Sequence, residues 1–293
     1  MKTLEYLLES PELYLPGCVA GVLVGATCAL LSVIVSLKRL AFIGQGISHA
    51  AFGGMGFAAI AGLATMSSGI AATTSIAQFG IVFSFCIAAA LLVGLVSGRR
   101  SGRSRTHADT AIGVVLVASM ALGSILGSMS RGGVIWESFL FGSLLATGWT
   151  EVGLAAICGT GVLLTLLALR RQIMFWTFDE PAAEAFGVDC ERVRVVVLIL
   201  LTVATVTAMK LAGVVLATAL LVLPGATALR LSSRLAPVLV WSLMIALAGV
   251  AIGMVLSFEL NWAPGSCIVL ALTALFAGSW LITSTGSAPA QRA

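Results

Sequence analysis

Charge is scarce in this sequence. Of its 293 residues 10% are Asp, Glu, Lys or Arg, against roughly 25% in an ordinary soluble domain, while 59% are hydrophobic and the mean hydropathy is +1.11. That scarcity excludes a water-soluble globular fold and predicts an integral membrane protein. Cysteine pairs are missing as well. Cys18, Cys28, Cys86, Cys158, Cys190 and Cys267 form no CxxC and no Cys/His spacing, which excludes a disulfide framework and a thiolate zinc site and leaves them as small packing residues. There is no Gly-rich phosphate loop, no HExxH pair and no Ser/His/Asp arrangement, so energy from ATP cannot come from this chain. The glycines of GMGFAAIAG belong to a membrane span. The first seventeen residues carry three glutamates and no cleavage-site pattern, so they do not read as a signal peptide. Internal repeats and low-complexity segments are likewise missing.

Apolar runs fill the space that charge leaves. A span needs about 20 mostly apolar residues to cross roughly 30 Å of hydrocarbon, and nine runs qualify: 17–37, 41–65, 76–97, 110–128, 152–169, 193–209, 212–229, 236–257 and 265–283. The sixth and seventh nearly touch, so the count lies between eight and ten. The expected fold is an all-α polytopic bundle forming one membrane domain over residues 1–293. Gly and Ala crowd the spans, which lets helices approach closely. Pro224 removes a backbone donor and predicts a kink or a broken helix near it.

The few charges sort by side. Lys38, Arg39, Arg99, Arg100, Arg103, Arg105, Arg170, Arg171, Arg192, Arg194, Arg230, Arg234 and Arg292 fall in alternate loops, leaving Lys2, Arg131 and Lys210 for the other face. Lys and Arg gather in cytoplasmic loops, so nine spans put the N-terminus outside and the C-terminus inside. The net charge of +4 reflects orientation and not a nucleic-acid partner. His107 and Asp109 stand at a helix start where an acid suits the dipole, Lys210 and Glu259 at outer ends, and Trp136, Trp149 and Trp262 near outer boundaries as interfacial anchors.

Two stretches stand out. In FIGQGISHAAFGG, Gln45, His49, Gly53 and Gly56 share one face of a helix, with Ser48 beside them. His49 would lie about 12 Å from Ala41, near the midplane. At that depth the imidazole either hydrogen-bonds between helices or touches a divalent cation in transit. No Asp or Glu lies inside a span, which speaks against a proton relay. The second stretch, RRQIMFWTFDEPAAEAFGVDCERVR (170–194), is the most charged of the chain. Its middle reads as a short helix capped by Thr177 or Asp179, with Pro181 in the first turn and Gly187 at the end. Two turns are not stable alone in water, so it either docks on something or lies as a solvated loop on the bundle.

Together these stretches resemble permease subunits of bacterial ABC transporters for zinc, manganese and iron uptake. The resemblance rests on GQGISHAAFGG (44–54), DTAIGVV (109–115), FLFGSLLA (139–146), FDEPAAEAFGV (178–188) and GVVLATALLVLPGATA (213–228), in family order over nearly the whole chain. It implies a homodimer in the bacterial plasma membrane, cytoplasmic ABC ATPase subunits that hold the ATP, and an extracytoplasmic solute-binding protein. It implies a helical fold similar to cobalamin and siderophore permeases, a metal ion as cargo and no cofactor bound by this chain. Phe178, Asp179, Glu180, Pro181, Ala182, Ala183, Glu184, Ala185, Phe186 and Gly187 match a coupling segment that sits on the ATPase, with Ala183 and Phe186 as expected contacts. His49 matches a histidine of the metal path, with Gln45 and Ser48 beside it. Many relatives carry an aspartate where Gln45 stands, so a weak transit contact is expected in place of a tight site. The alternatives are a permease for a metal chelate and, from another class, an intramembrane enzyme using His49.

Overall fold

The computed structural model describes residues 11–60, 76–98, 108–129, 142 and 144–286, and every regular element among them is helical. In chain order these are α1 (Pro11–Leu37), α2 (Ala41–Ile60), α3 (Ile76–Gly98), α4 (Ala108–Met129), a 3-10 turn (Leu144–Ala146), α5 (Trp149–Ala168), α6 (Arg170–Phe178), α7 (Glu180–Ala185), α8 (Cys190–Leu231), α9 (Leu235–Leu260) and α10 (Pro264–Gly286). The side chains of His107, Asp109, Arg131 and Trp136 and the Arg99 to Arg105 cluster lie outside the described residues.

Among the described residues six helices, α1, α4, α5, α8, α9 and α10, are long and apolar enough to cross a membrane. Three differences separate that number from the nine runs of the sequence. The sixth and seventh runs are joined in α8, and of α3, a helix of 23 residues, only the stretch Gly80–Val93 lies among the described side chains. The third is α2, which carries Gln45, Ser48 and His49 among its glycines and is less apolar. It is walled by α3, α4 and α8, and most of its residues are buried.

Helix α8 is the centre of the fold, touching α1, α2, α3, α9 and α10, with Val197, Leu201, Leu216 and Leu220 fully buried. A straight helix of its 42 residues would run about 63 Å, twice the hydrocarbon thickness. It does not run straight. Gly213 has φ 83° and ψ 165°, a conformation open essentially to glycine alone, and the contacts on either side show that the chain turns back there. Ala212 and Gly213 lie against Gly142, where a Cβ would sit 2.4 Å from the Ala212 carbonyl carbon, and neighbouring Leu144 lies against Gly17 at the start of α1. At the opposite end Arg194 reaches Glu180, which also holds Lys38 just past α1, while Gly225 packs on the Ser32 backbone six residues before Lys38. Both outer ends of α8 therefore sit at the Lys38 end and the bend at the Gly17 end. Pro224 is buried and lies inside the second arm, and the residue of α8 with a non-helical backbone is Gly213, eleven positions earlier.

Neighbours of the other helices give their directions. Gly54 meets Val82 and Ile47 meets Cys86, so α3 returns antiparallel to α2, whereas Gly46 on Ile112 and Gly56 on Leu126 make α4 parallel to it. Gly21 on Val250 and Ser242 Oγ donating to the Ala29 carbonyl oxygen (2.7 Å) set α9 antiparallel to α1. Asn261, left-handed at φ 55°, ends α9, and α10 returns with Ile268 on Gly253 and Leu272 on Gly249. All six cysteines are free thiols, four of them buried.

Candidate functional site

The polar face of α2 divides in two. Its upper half, Gly53 and Gly56, is closed by neighbours: a Cβ on Gly53 would sit 2.6 Å from the Phe85 ring, and one on Gly56 2.9 Å from Leu126 Cβ. The lower half is open. Gln45 is exposed and His49 half-buried, next to exposed Phe42. Ser48 is fully buried and its Oγ donates to the Gly44 carbonyl oxygen (2.9 Å), so it turns into the packing and does not share the open face.

His49 is held by its own helix. Its Nδ1 lies 2.9 Å from the Gln45 carbonyl oxygen, and its ring stacks on Phe52 with centroids 5.9 Å apart. A carbonyl can only accept, so Nδ1 carries a proton and Nε2 is the ring nitrogen left for another partner. An imidazole in this tautomer is a hydrogen-bond acceptor or a ligand for a borderline cation. Among the described residues no three His, Cys, Asp or Glu converge on one point.

The loop between α5 and α8 is more elaborate than its sequence pattern. An extra helix, α6, follows α5 after one residue, burying Ile173, Trp176 and Thr177 at helical spacing. That i, i+3, i+4 pattern was present to be read. Thr177 does not cap α7; its hydroxyl donates backward to the Ile173 carbonyl oxygen. Asp179 does, accepting from the Ala182 amide at 3.0 Å, an arrangement worth about 1 kcal/mol. Pro181 stands in the first turn. At the other end Gly187 is left-handed at φ 83°, and the Val188 amide donates to the Ala183 carbonyl oxygen (2.9 Å) to close the helix.

This small helix has two faces. Ala183 is fully buried, so it belongs to the loop's own packing and not to an outward contact surface. Glu180 also faces the bundle, accepting from Lys38 Nζ (3.1 Å) and from Arg194 Nη2. Partial burial by itself pushes the Glu180 carboxyl up, but the Lys38 hydrogen bond and the Arg194 and Lys38 charges outweigh it and hold the group below the ordinary carboxylate range. Outward stand Glu184, Ala185, Phe186 and, just before the helix, Phe178. Phe186 is 78% exposed and Phe178 63%. Phe175 lies 5.6 Å from Phe186 between ring centroids, and Arg171, Gln172, Met174, Phe175, Phe178 and Val188 line a groove of about 440 Å³. Lys38 is the residue of this site that local spacing does not reveal, since its partner Glu180 stands 142 positions away.

A sequence profile described as the ABC 3 transport family matches residues 10–283. The manganese transport system membrane protein MntC of Halalkalibacterium halodurans is 33% identical over 259 residues, covering 88% of this chain and 83% of its own. The structure of PsaBC from Streptococcus pneumoniae in complex with Fab superposes with a TM-score of 0.80 at 26% identity, covering 95% of this chain and 94% of that one. An inward-facing metal-chelate type ABC transporter superposes at 0.70 with 19% identity, over 97% and 88% of the two chains.

Proposed function

The chain belongs to the ABC 3 transport family, and from that premise we propose that it is the permease subunit of an ABC importer for a divalent transition metal ion: zinc, manganese or iron. The observation that carries this is α7. A six-residue helix clamped to the bundle on one face and showing Phe178 and Phe186 to the outside has the form of a docking element, because exposed aromatic surface costs free energy until a partner covers it. The occupant is a separate cytoplasmic ATPase, which supplies the hydrolysis that this chain has no motif to perform. The manganese system named for the 33% relative favours manganese among the three metals.

The chain is one membrane domain that crosses nine times, with α1, α2, α3, α4, α5, the two arms of α8, α9 and α10 as the crossings. Their alternating directions support this count. The Lys38 end carries Lys38, Arg39, Arg170, Arg171, Arg192, Arg194, Arg230 and Arg234, so by the positive-inside rule it faces the cytoplasm. The Gly17 end receives the solute-binding protein. Two copies in the plasma membrane form the path, with the open lower half of α2 turned toward it. There His49 Nε2 meets the ion as cargo, Gln45 adds a weak oxygen donor, and Ser48 stiffens the helix behind them.

The test is metal uptake into proteoliposomes holding this chain, the candidate ATPase and the binding protein. His49→Ala should lower manganese uptake with folding and ATPase association unchanged. Phe186→Ala should release the ATPase on co-purification, since truncating a central aromatic anchor costs about 2 kcal/mol, roughly thirtyfold in affinity. Normal uptake by the first and normal association by the second would overturn both assignments.

A further inference from the structure

The turn between α1 and α2 is built as a stiff cap. Arg39 is left-handed (φ 56°), its amide donates to the Ser36 carbonyl oxygen (3.4 Å), and the Leu40 amide donates to that of Val35 (2.8 Å). This paired pattern closes a helix C-terminus with little freedom left. The Ile43 amide already donates to the Leu40 carbonyl oxygen at 2.9 Å, so α2 begins almost at once. A displacement of Lys38 is therefore a displacement of the root of α2, the helix of His49.

The loop grips Lys38 from two sides. Its ammonium donates to Glu180 Oε2 at 3.1 Å and lies 4.3 Å from the centroid of the Trp176 ring. The other carboxylate oxygen, Oε1, accepts from Arg194 in the first arm of α8, and the Cys190 thiol donates to the Glu180 main-chain oxygen at 3.6 Å. The Lys38 side chain is 17% exposed and that of Glu180 31%, so the pair is less screened than a surface salt bridge. One carboxylate thus fastens the loop to the roots of α2 and α8 together.

We infer that Glu180 is a positioning residue that passes movement of the loop to α2 and α8, separate from Phe178 and Phe186 that seat the ATPase. This rests on the permease reading above. A docking helix held only by its outward face would slide on the bundle when pulled. The Glu180 fork makes loop, α1–α2 turn and α8 move as one body, so that the work of hydrolysis reaches the His49 helix.

The experiment compares metal transported per ATP hydrolysed in proteoliposomes with the full complex, alongside ATPase co-purification. Glu180→Gln keeps the shape and removes the charge. It should retain ATPase association yet lower manganese moved per ATP about tenfold, the scale of one lost charge-assisted hydrogen bond. Lys38→Met, which avoids leaving a buried unpaired ammonium, should lower it similarly. The double variant should be no worse than the worse single one, because the two act through one contact. Full coupling in both single variants overturns the proposal. Loss of association in Glu180→Gln, as in Phe186→Ala, also overturns it by making Glu180 a docking residue. Absence of manganese uptake by the unmutated complex would instead count against the permease reading itself.

Discussion

Glu180 and His49 show how differently single residues declare themselves. His49 is conspicuous in sequence because an imidazole amid hydrocarbon needs a reason, but its tautomer follows only from the Gln45 carbonyl 2.9 Å away. Glu180 is one acid among several in a charged loop, and only its inward turn onto Lys38 and Arg194 distinguishes it. Its titration gives a prediction. Its carboxyl lies below the ordinary 4.5 in the folded chain, so the unfolded loop binds more protons in that window and stability rises with pH across it. The contribution is complete above pH 4.5 and is lost as pH falls through the lower folded value. Hydrogen-exchange protection of the amides around 180–190 should therefore drop in acid below that point in the unmutated chain, and Glu180→Gln should abolish the step. An identical acid step in both would assign it to another group.

At the scale of elements, caps and breaks were legible where their chemistry is local. Asp179, Pro181 and Gly187 lie within one short run, and α7 forms between them as the pattern implies. The reversal in α8 was legible as the gap between the sixth and seventh runs, between 209 and 212, and it falls at Gly213, because a backbone with φ 83° and ψ 165° is available to glycine and strained for residues with a Cβ. Gly213→Ala should cost about 1–3 kcal/mol, read as a lowered thermal unfolding temperature in detergent. An unchanged transition would mean that the bend tolerates a Cβ. The open and closed halves of the α2 face were not separable from sequence, since the Phe85 ring that closes Gly53 comes from another helix.

At the scale of the molecule, the basic residues at one end and Glu12, Glu151 and Glu259 toward the other give a topology with a direct check. In a variant without native cysteines, Glu259→Cys should react with a membrane-impermeant maleimide on intact cells. Arg234→Cys should react only after the membrane is opened. The reverse pattern would turn the Lys38 end outward and remove the loop from any cytoplasmic ATPase. Both positions are exposed in the structure, so the difference reports sidedness and not burial.

Composition and charge order by themselves determined that this is a membrane chain, that its helices are closely packed, and which ends of its runs belong together. Those properties depend on transfer free energies that each residue carries wherever it sits. Only the tertiary structure decided which residue between the two arms of α8 takes the break, that Ala183 and Ser48 turn inward, and that one glutamate joins a loop to the root of the His49 helix. These depend on contacts between residues far apart in the chain, where a hydrogen bond of about 3 Å is set by how helices pack and leaves no mark in local spacing.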